Sequence, residues 1–367
     1  MGLTALQTQH PGLGSAQGDY RGATAAARFD SPERELAALR NSCGVYDLGY
    51  RAKISLTGAD RVRWLNGMVT NNIRDLAPER GVYAFLLNPQ GHILGDLYAY
   101  NRGDSIIVDT DHSQVEKILA TFDHYIIMDD VEVANLSDSL TALSIAGPKS
   151  PEVLASCGIE VRDLQPLQVF DTALEGTPCT IVRGEDLEYP SYELWMPSGD
   201  VHKFWAALVA HGATPAGSEA LEWRRILSGI PLYGVDIRER DLPQETEQTR
   251  ALNFSKGCYI GQEIVERIRS RGAVHRKFAA FRAPGPQPIA PGSKIVVNEK
   301  EVGEITSAAV LHIADEEKTV ALGYVRREIG TPGREVLIGS VRATVIATPV
   351  TDLVLLGTEP ALEHHEA

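Results

Sequence analysis

One run of the chain concentrates reactive residue types: Lys256-Gly257-Cys258-Tyr259-Ile260-Gly261-Gln262-Glu263. Two glycines so close together mark backbone that turns through positive φ or lets another segment approach. Behind them Ile260, Ile264, Val265 and Ile268 recur at helical spacing, which places Cys258 in a loop just ahead of a helix N-terminus. Amide dipoles there favour an anion, and Lys256, Arg267, Arg269 and Arg271 add positive potential. Both effects favour thiolate over thiol, so Cys258 is a candidate nucleophile. The competing reading is a small core filler, the common role of an isolated cysteine. The other cysteines, Cys43, Cys157 and Cys179, form no C-x-x-C pair, which fits a reduced cytoplasmic protein and removes a local zinc or cluster scaffold.

Charge sets this run apart. The 367 residues carry a formal net charge of −14, an acidic balance that argues against a phosphate-backbone partner. From Arg250 to Arg282 eight basic residues face two acidic ones, so this window is +6 and the remainder −20. The pattern predicts a positive channel in an acidic shell, suited to a small anion. The window lacks the interleaved aromatics that stack on bases, a second point against nucleic acid. No stretch is apolar for the roughly 18 residues of a membrane span.

The elements that must position these residues follow from periodicity. Residues 1–28, rich in Gly, Gln and Ser toward their start, read as a loosely ordered stretch. Ser31-Pro32-Glu33 opens a helix. Strand, helix, two or three strands, helix and strand follow through 29–137, a split βαβ lobe with a hairpin around Pro89-Gln90-Gly91. A second α+β lobe spans 138–276 and includes the motif. Its start, Leu143-Ser144-Ile145-Ala146-Gly147, echoes Ile54-Ser55-Leu56-Thr57-Gly58, with Leu154 and Leu65 on the apolar helix faces that follow. Short β-rich runs over 277–355 predict a small β-barrel, and 356–367 read as an acidic tail.

The K-G-C-Y-x-G-Q-E run, preceded by Phe254-Ser255, resembles the signature of the YgfZ family of folate-binding proteins, relatives of the glycine cleavage T-protein (aminomethyltransferase). Gly44-Val45-Tyr46-Asp47-Leu48, Ala146-Gly147-Pro148-Lys149 and Gly229-Ile230-Pro231-Leu232-Tyr233-Gly234 fit the shared superfamily pattern in order. The resemblance implies a cloverleaf of two α+β lobes and a barrel around a central folate channel, with a role in assembly or repair of iron–sulfur enzymes. The implied ligand is tetrahydrofolate, polyglutamylated in one form, and the implied partners are iron–sulfur client or assembly proteins. T-proteins carry two adjacent acids where this chain has Gly95-Asp96, so one carboxylate of the aminomethyl chemistry is missing.

A pterin offers a 2-amino group beside a ring N–H, and one carboxylate can accept from both. The resemblance places Glu193 in that role and brings Tyr83, Asp96 and Arg225 to the pocket, the tyrosine to stack on a ring and the arginine to pair with a glutamyl carboxylate. Three functions remain open on sequence: a tetrahydrofolate-binding protein of iron–sulfur maintenance, a folate-dependent aminomethyltransferase, and a non-catalytic interaction scaffold.

Overall fold

The computed structural model describes residues 2–350 apart from 162, 186–188, 273, 314 and 315; the acidic tail expected at 356–367 lies outside these. Its elements arise where the local signals place them. The helix Pro32–Asn41 begins with the Ser31 hydroxyl accepting from the Arg34 N–H, and Pro32 fills its first turn. Beyond it, the strands Arg80–Leu87, Ile93–Asn101, Ile106–Asp111, Arg51–Thr57 and Glu132–Asn135 lie side by side in that order as the first lobe's sheet. The second lobe's six-stranded sheet is ordered Val169–Leu174, Thr177–Arg183, Ser191–Pro197, Leu140–Ala146, Gly44–Asp47 and Thr214–Pro215. The strand Gly44–Asp47 thus crosses from the first stretch of chain into the second sheet, pairing antiparallel with Leu140–Ala146. Six strands between Arg276 and Ile346 close into the expected barrel, with Arg276–Pro284 paired to both Glu316–Arg326 and Val341–Ile346. No helix among the described residues is long and apolar enough to cross a membrane.

The two echoing segments occupy equivalent places. Each ends a strand, turns at a glycine with positive φ (93° at Gly58, 119° at Gly147) and enters a helix. A Cβ at either glycine would lie within 2.4 Å of a backbone carbonyl oxygen, Asp130 O or Ser42 O, so close backbone approach fixes both.

Residues 2–28 depart from the loosely ordered stretch expected of them. Strands Gly2–Leu3, Ala16–Tyr20 and Ala23–Arg28 form a sheet, with the helix Ala5–Gln9 burying Leu6. Small side chains let Ala23–Arg28 bury four alanines, a packing that a search for large apolar residues overlooks. Tyr46, Tyr50, Tyr100, Trp195, Phe278 and Tyr324 share one buried cluster drawn from both lobes and the barrel. This seam holds the three parts together.

Asp47 lines a small pocket together with Tyr20, Ala25 and Tyr50, beside the N-terminal sheet. It accepts from the Gly49 N–H at 2.7 Å, while its Oδ2 is buried without a hydrogen-bond partner among the described residues. Burial pushes its carboxyl up to about 6, against which hydrogen bonds from Thr4 and Gly49 act. The folded chain therefore keeps a proton that the unfolded chain loses near pH 4, and the stability this gives is lost as pH rises through about 6. Asp47→Asn is expected to be neutral near pH 4 and to stabilise increasingly toward neutral pH, by about 2–3 kcal/mol at most. Melting curves across that range check it; a pH-independent effect of the substitution would contradict it.

Candidate functional site

The site begins in the hairpin of Arg80–Leu87 and Ile93–Asn101, whose register sets Phe85 opposite Asp96 and Tyr83 opposite Tyr98. Tyr83 is therefore the diagonal same-face neighbour of Asp96, within reach of a long side chain. Its hydroxyl donates to Asp96 Oδ2 at 2.7 Å. Gln114 clasps the same residue twice: its Nε2 donates to Oδ1 at 2.7 Å and its Oε1 accepts from the Asp96 N–H at 3.0 Å. Burial raises the Asp96 carboxyl above its ordinary value, as does nearby Asp111, while the Tyr83 and Gln114 hydrogen bonds and Arg51 oppose the rise. A Cβ at Gly95 would stand 3.0 Å from Gln114 Oε1, so a second acid there would press on the residue that holds Asp96. The face of Tyr83 is covered in this structure by the Arg250 guanidinium, 4.4 Å from the ring centroid.

Glu193 comes from the other lobe. On Ser191–Pro197 the neighbours Tyr192 and Leu194 face the second lobe's own core, which leaves Glu193 and Trp195 on the opposite face, toward the first lobe. There Trp195 meets Tyr100 edge to face at 5.1 Å, and its Nε1 donates to Glu193 Oε2 at 2.8 Å. Among the described residues nothing donates to Glu193 Oε1. Burial pushes this carboxyl up, Asp109 adds to the rise, and Lys53, the Trp195 N–H and Arg51 counter it.

Between the two carboxyls lies a charge cluster that the sequence reading missed. Arg51 and Lys53 share a face of their strand, and the register sets them opposite Asp111 and Asp109. Arg51 donates to Asp109 Oδ1 at 2.9 Å and to Asp111 Oδ1 at 2.7 Å. Lys53, fully buried, holds its Nζ 3.3 Å from Asp109 Oδ1 and 4.9 Å from the centre of the Trp195 ring. Neither Lys53 Nζ nor Asp109 Oδ2 has a well-formed hydrogen bond among the described residues. Buried polar atoms in that state cost about 1–3 kcal/mol each unless something else satisfies them. Like charges spaced two apart at the start of one strand, facing opposite charges spaced two apart at the end of another, were the available signal.

Arg225 sits elsewhere. It is buried in the helix Ser218–Ser228, and its guanidinium donates to Glu222, the Ile230 carbonyl, Asp236 and Ser307. All five N–H groups have acceptors, which leaves none for a ligand carboxylate. Asp236, also buried, accepts from Arg225 at 2.6 Å, from the Leu232 N–H, and from Thr306 and Ser307 of the barrel. A bulge in Lys300–Ile313 between Ile305 and Ser307 turns two consecutive hydroxyls toward one carboxylate. Arg225 thus joins the second lobe to the barrel.

The motif loop packs on the Asp96 hairpin. Gly257 and Gly261 have φ of 94° and 81°, and the helix Gln262–Arg271 follows as expected. A Cβ at Gly261 would lie 2.6 Å from the Asn88 carbonyl oxygen, and one at Gly91 would lie 2.7 Å from Ile264 Cβ. Tyr259 is buried with Tyr83, Phe85, Leu87 and Ile93 of the hairpin. Cys258 is exposed, whereas Cys43 and Cys179 are buried and Cys157 is half-buried. Gln262 and Glu263 open the helix, Glu263 toward solvent.

The positive channel inferred from charge is largely neutralised in space. Lys256 turns inward and donates to the Asn66 and Val69 carbonyls at the end of the helix Arg61–Met68; burial, aided by Arg74, lowers it to about 7. Arg276 pairs with Asp241 and Glu245, Lys277 with Glu247, Arg269 with Glu266 and Arg250 with Glu185. Arg267 is exposed.

Comparison with known proteins agrees with this architecture. Residues 7–256 match the GCVT N-terminal domain, and residues 276–355 match the glycine cleavage T-protein C-terminal barrel domain. The chain is 28% identical over 348 residues to an aminomethyltransferase of Halothermothrix orenii, covering 92% of this chain and 95% of that one. It is 26% identical over 313 residues to a putative chloroplastic transferase of Arabidopsis thaliana, covering 85% of this chain and 72% of the relative. The crystal structure of the glycine cleavage system aminomethyltransferase T from Bartonella henselae superposes with a TM-score of 0.85 at 22% identity, over 95% of this chain and 98% of that one, a likeness of fold.

Proposed function

Because the chain belongs to the GCVT family, that of the glycine cleavage T-protein, we propose that it binds tetrahydrofolate between its two lobes and, as a member of the YgfZ branch, supports assembly or repair of iron–sulfur enzymes through Cys258. The observation that carries this reading is the seating of the exposed Cys258 loop on the hairpin that presents Asp96, which ties the thiol and the Asp96 carboxyl to one element.

When bound, tetrahydrofolate supplies nitrogens able to carry a one-carbon unit. The chain's residues do the rest by recognition and proton placement. Glu193 accepts from the pterin 2-amino group and ring N–H, through Oε1 and the second lone pair of Oε2. Arg51 and Lys53 keep that carboxyl able to ionise in spite of its burial. Asp96 holds a proton best on Oδ2, where the Tyr83 hydroxyl can rotate from donor to acceptor; Oδ1 already accepts from an amide that can only donate.

The second reading, aminomethyl transfer, draws support from the relatives' name and from Asp96 as a deep carboxyl suited to proton exchange. Gly95 weighs against it, since it stands where T-proteins carry the other of two adjacent acids. Cys258→Ser in a deletion strain separates the two. The variant is expected to bind tetrahydrofolate as the unaltered chain does and to lose rescue of iron–sulfur enzyme activity. Full rescue by the serine variant would make Cys258 structural. Glycine-dependent methylene-tetrahydrofolate formation with the partner glycine-cleavage proteins would favour the transferase.

A further inference from the structure

Beside Tyr83 and Asp96 stands a group that the folate reading leaves unused. Arg250 lays its guanidinium over the Tyr83 ring, approaches the Tyr98 hydroxyl at 3.4 Å and forms an ion pair with Glu185. Glu185 belongs to the other lobe, just past the strand Thr177–Arg183, and its Oε2 also accepts from the Tyr98 hydroxyl at 3.0 Å. The two side chains remain accessible, with 34% of Arg250 and 23% of Glu185 exposed. A guanidinium, a phenol donor and an aromatic floor thus converge on one carboxylate, and that carboxylate is the protein's own.

We propose that Arg250 and Tyr98 form the receptor for a ligand carboxylate, and that Glu185 is its internal stand-in, displaced when the ligand arrives. The inference rests on the folate reading, because the receptor opens beside Tyr83 and Asp96. Three features support it. Exchange of one carboxylate for another leaves the local charge unchanged, so the receptor needs no rebuilding. Arg250 also contacts Tyr83 and Tyr98 of the first lobe, so Glu185 is not its sole anchor and part of its positioning is supplied in advance. Glu185 reaches across from the second lobe, so its release also breaks a contact between the lobes. A tethered competitor of this kind lowers the apparent affinity of the ligand it mimics.

The carboxylate can come from the glutamyl tail of a folate or from a separate small amino acid substrate, and titrations distinguish these. Tetrahydrofolate, 6-methyltetrahydropterin (which has no carboxylate) and glycine, the last added to protein loaded with the methylpterin, serve as probes. Where the tail is the source, Arg250→Gln weakens tetrahydrofolate about tenfold, Glu185→Gln tightens it, and methyltetrahydropterin is unaffected by either. Where an amino acid is the source, the same opposed pair of changes appears for glycine instead. Tyr98→Phe moves the responding ligand in the same direction as Arg250→Gln, by less. The gain from Glu185→Gln is a readout that misfolding cannot imitate. If tetrahydrofolate binds and neither it nor glycine responds to these variants, the carboxylate receptor is overturned alone. If the unaltered chain binds no tetrahydrofolate, the folate reading falls and takes this inference with it.

Discussion

Arg225→Met is expected to destabilise the chain by about 3–5 kcal/mol, on the scale of breaking a buried ion pair from one side, and to lower the melting temperature by about 4–7 °C. The substitution keeps the apolar stem and removes five donors at once. Asp236 would be left fully buried with its charge uncompensated, and Glu222 and the Ile230 carbonyl would lose their shared partner. The barrel hydroxyls of Thr306 and Ser307 would still donate to Asp236, but two neutral donors do not replace a guanidinium. A companion change, Asp236→Asn in the Arg225→Met background, is expected to recover part of the loss by removing the stranded charge. Thermal melts of the single and double variants read this out. A melting temperature unchanged by Arg225→Met, together with lost tetrahydrofolate affinity, would instead place Arg225 on the ligand, as the family resemblance implies.

Glu193→Gln is expected to weaken tetrahydrofolate by about 1–3 kcal/mol, roughly five- to 150-fold in affinity. A carboxylate meets two pterin donors with two acceptors, whereas an amide offers one acceptor and sets its own N–H against the second donor. The Trp195 indole, 2.8 Å from Oε2, fixes the side chain in its present orientation and would hold a glutamine there too, so the loss reports recognition. Because burial and Asp109 raise the Glu193 carboxyl, binding that needs the ionised form should weaken as pH falls through that raised value. The glutamine variant should lack this pH dependence. Equal affinity in the two proteins, or the same pH profile, would remove Glu193 from the pterin edge.

Much of the architecture could be read from local pattern, because the forces that shape it act locally. The barrel strands alternate with turns, the Ser31 cap opens its helix, and the glycines at 58 and 147 follow strands that can only turn there. What stayed hidden depends on distant pairing. Gly44–Asp47 is a four-residue strand whose sheet is chosen by Leu140–Ala146, far along the chain. The Ala23–Arg28 strand packs through methyl groups, a weak signal beside leucine and valine.

The site divides in the same way. The Cys258 loop and its helix follow from the glycine spacing and the apolar period. The meaning of the basic window does not, because its acids, Glu185, Asp241, Glu245 and Glu247, lie outside the window in sequence and against it in space. Arg225 was drawn to the ligand by resemblance, while its actual partner Asp236 lies eleven residues on, in a turn that carries no motif of its own. Arg51, Lys53, Asp109 and Asp111 become one cluster only once the antiparallel register is known.

The central claim is that the two lobes close on a tetrahydrofolate site bounded by Glu193 and the Tyr83–Asp96 pair. Calorimetric titration of the purified chain with tetrahydrofolate tests it most directly. The expected result is saturable binding of one ligand per chain, in the micromolar range or tighter, which corresponds to about −8 kcal/mol. An absence of saturable heat up to about millimolar ligand would contradict it, since even an affinity worth only about −4 kcal/mol would show at that concentration.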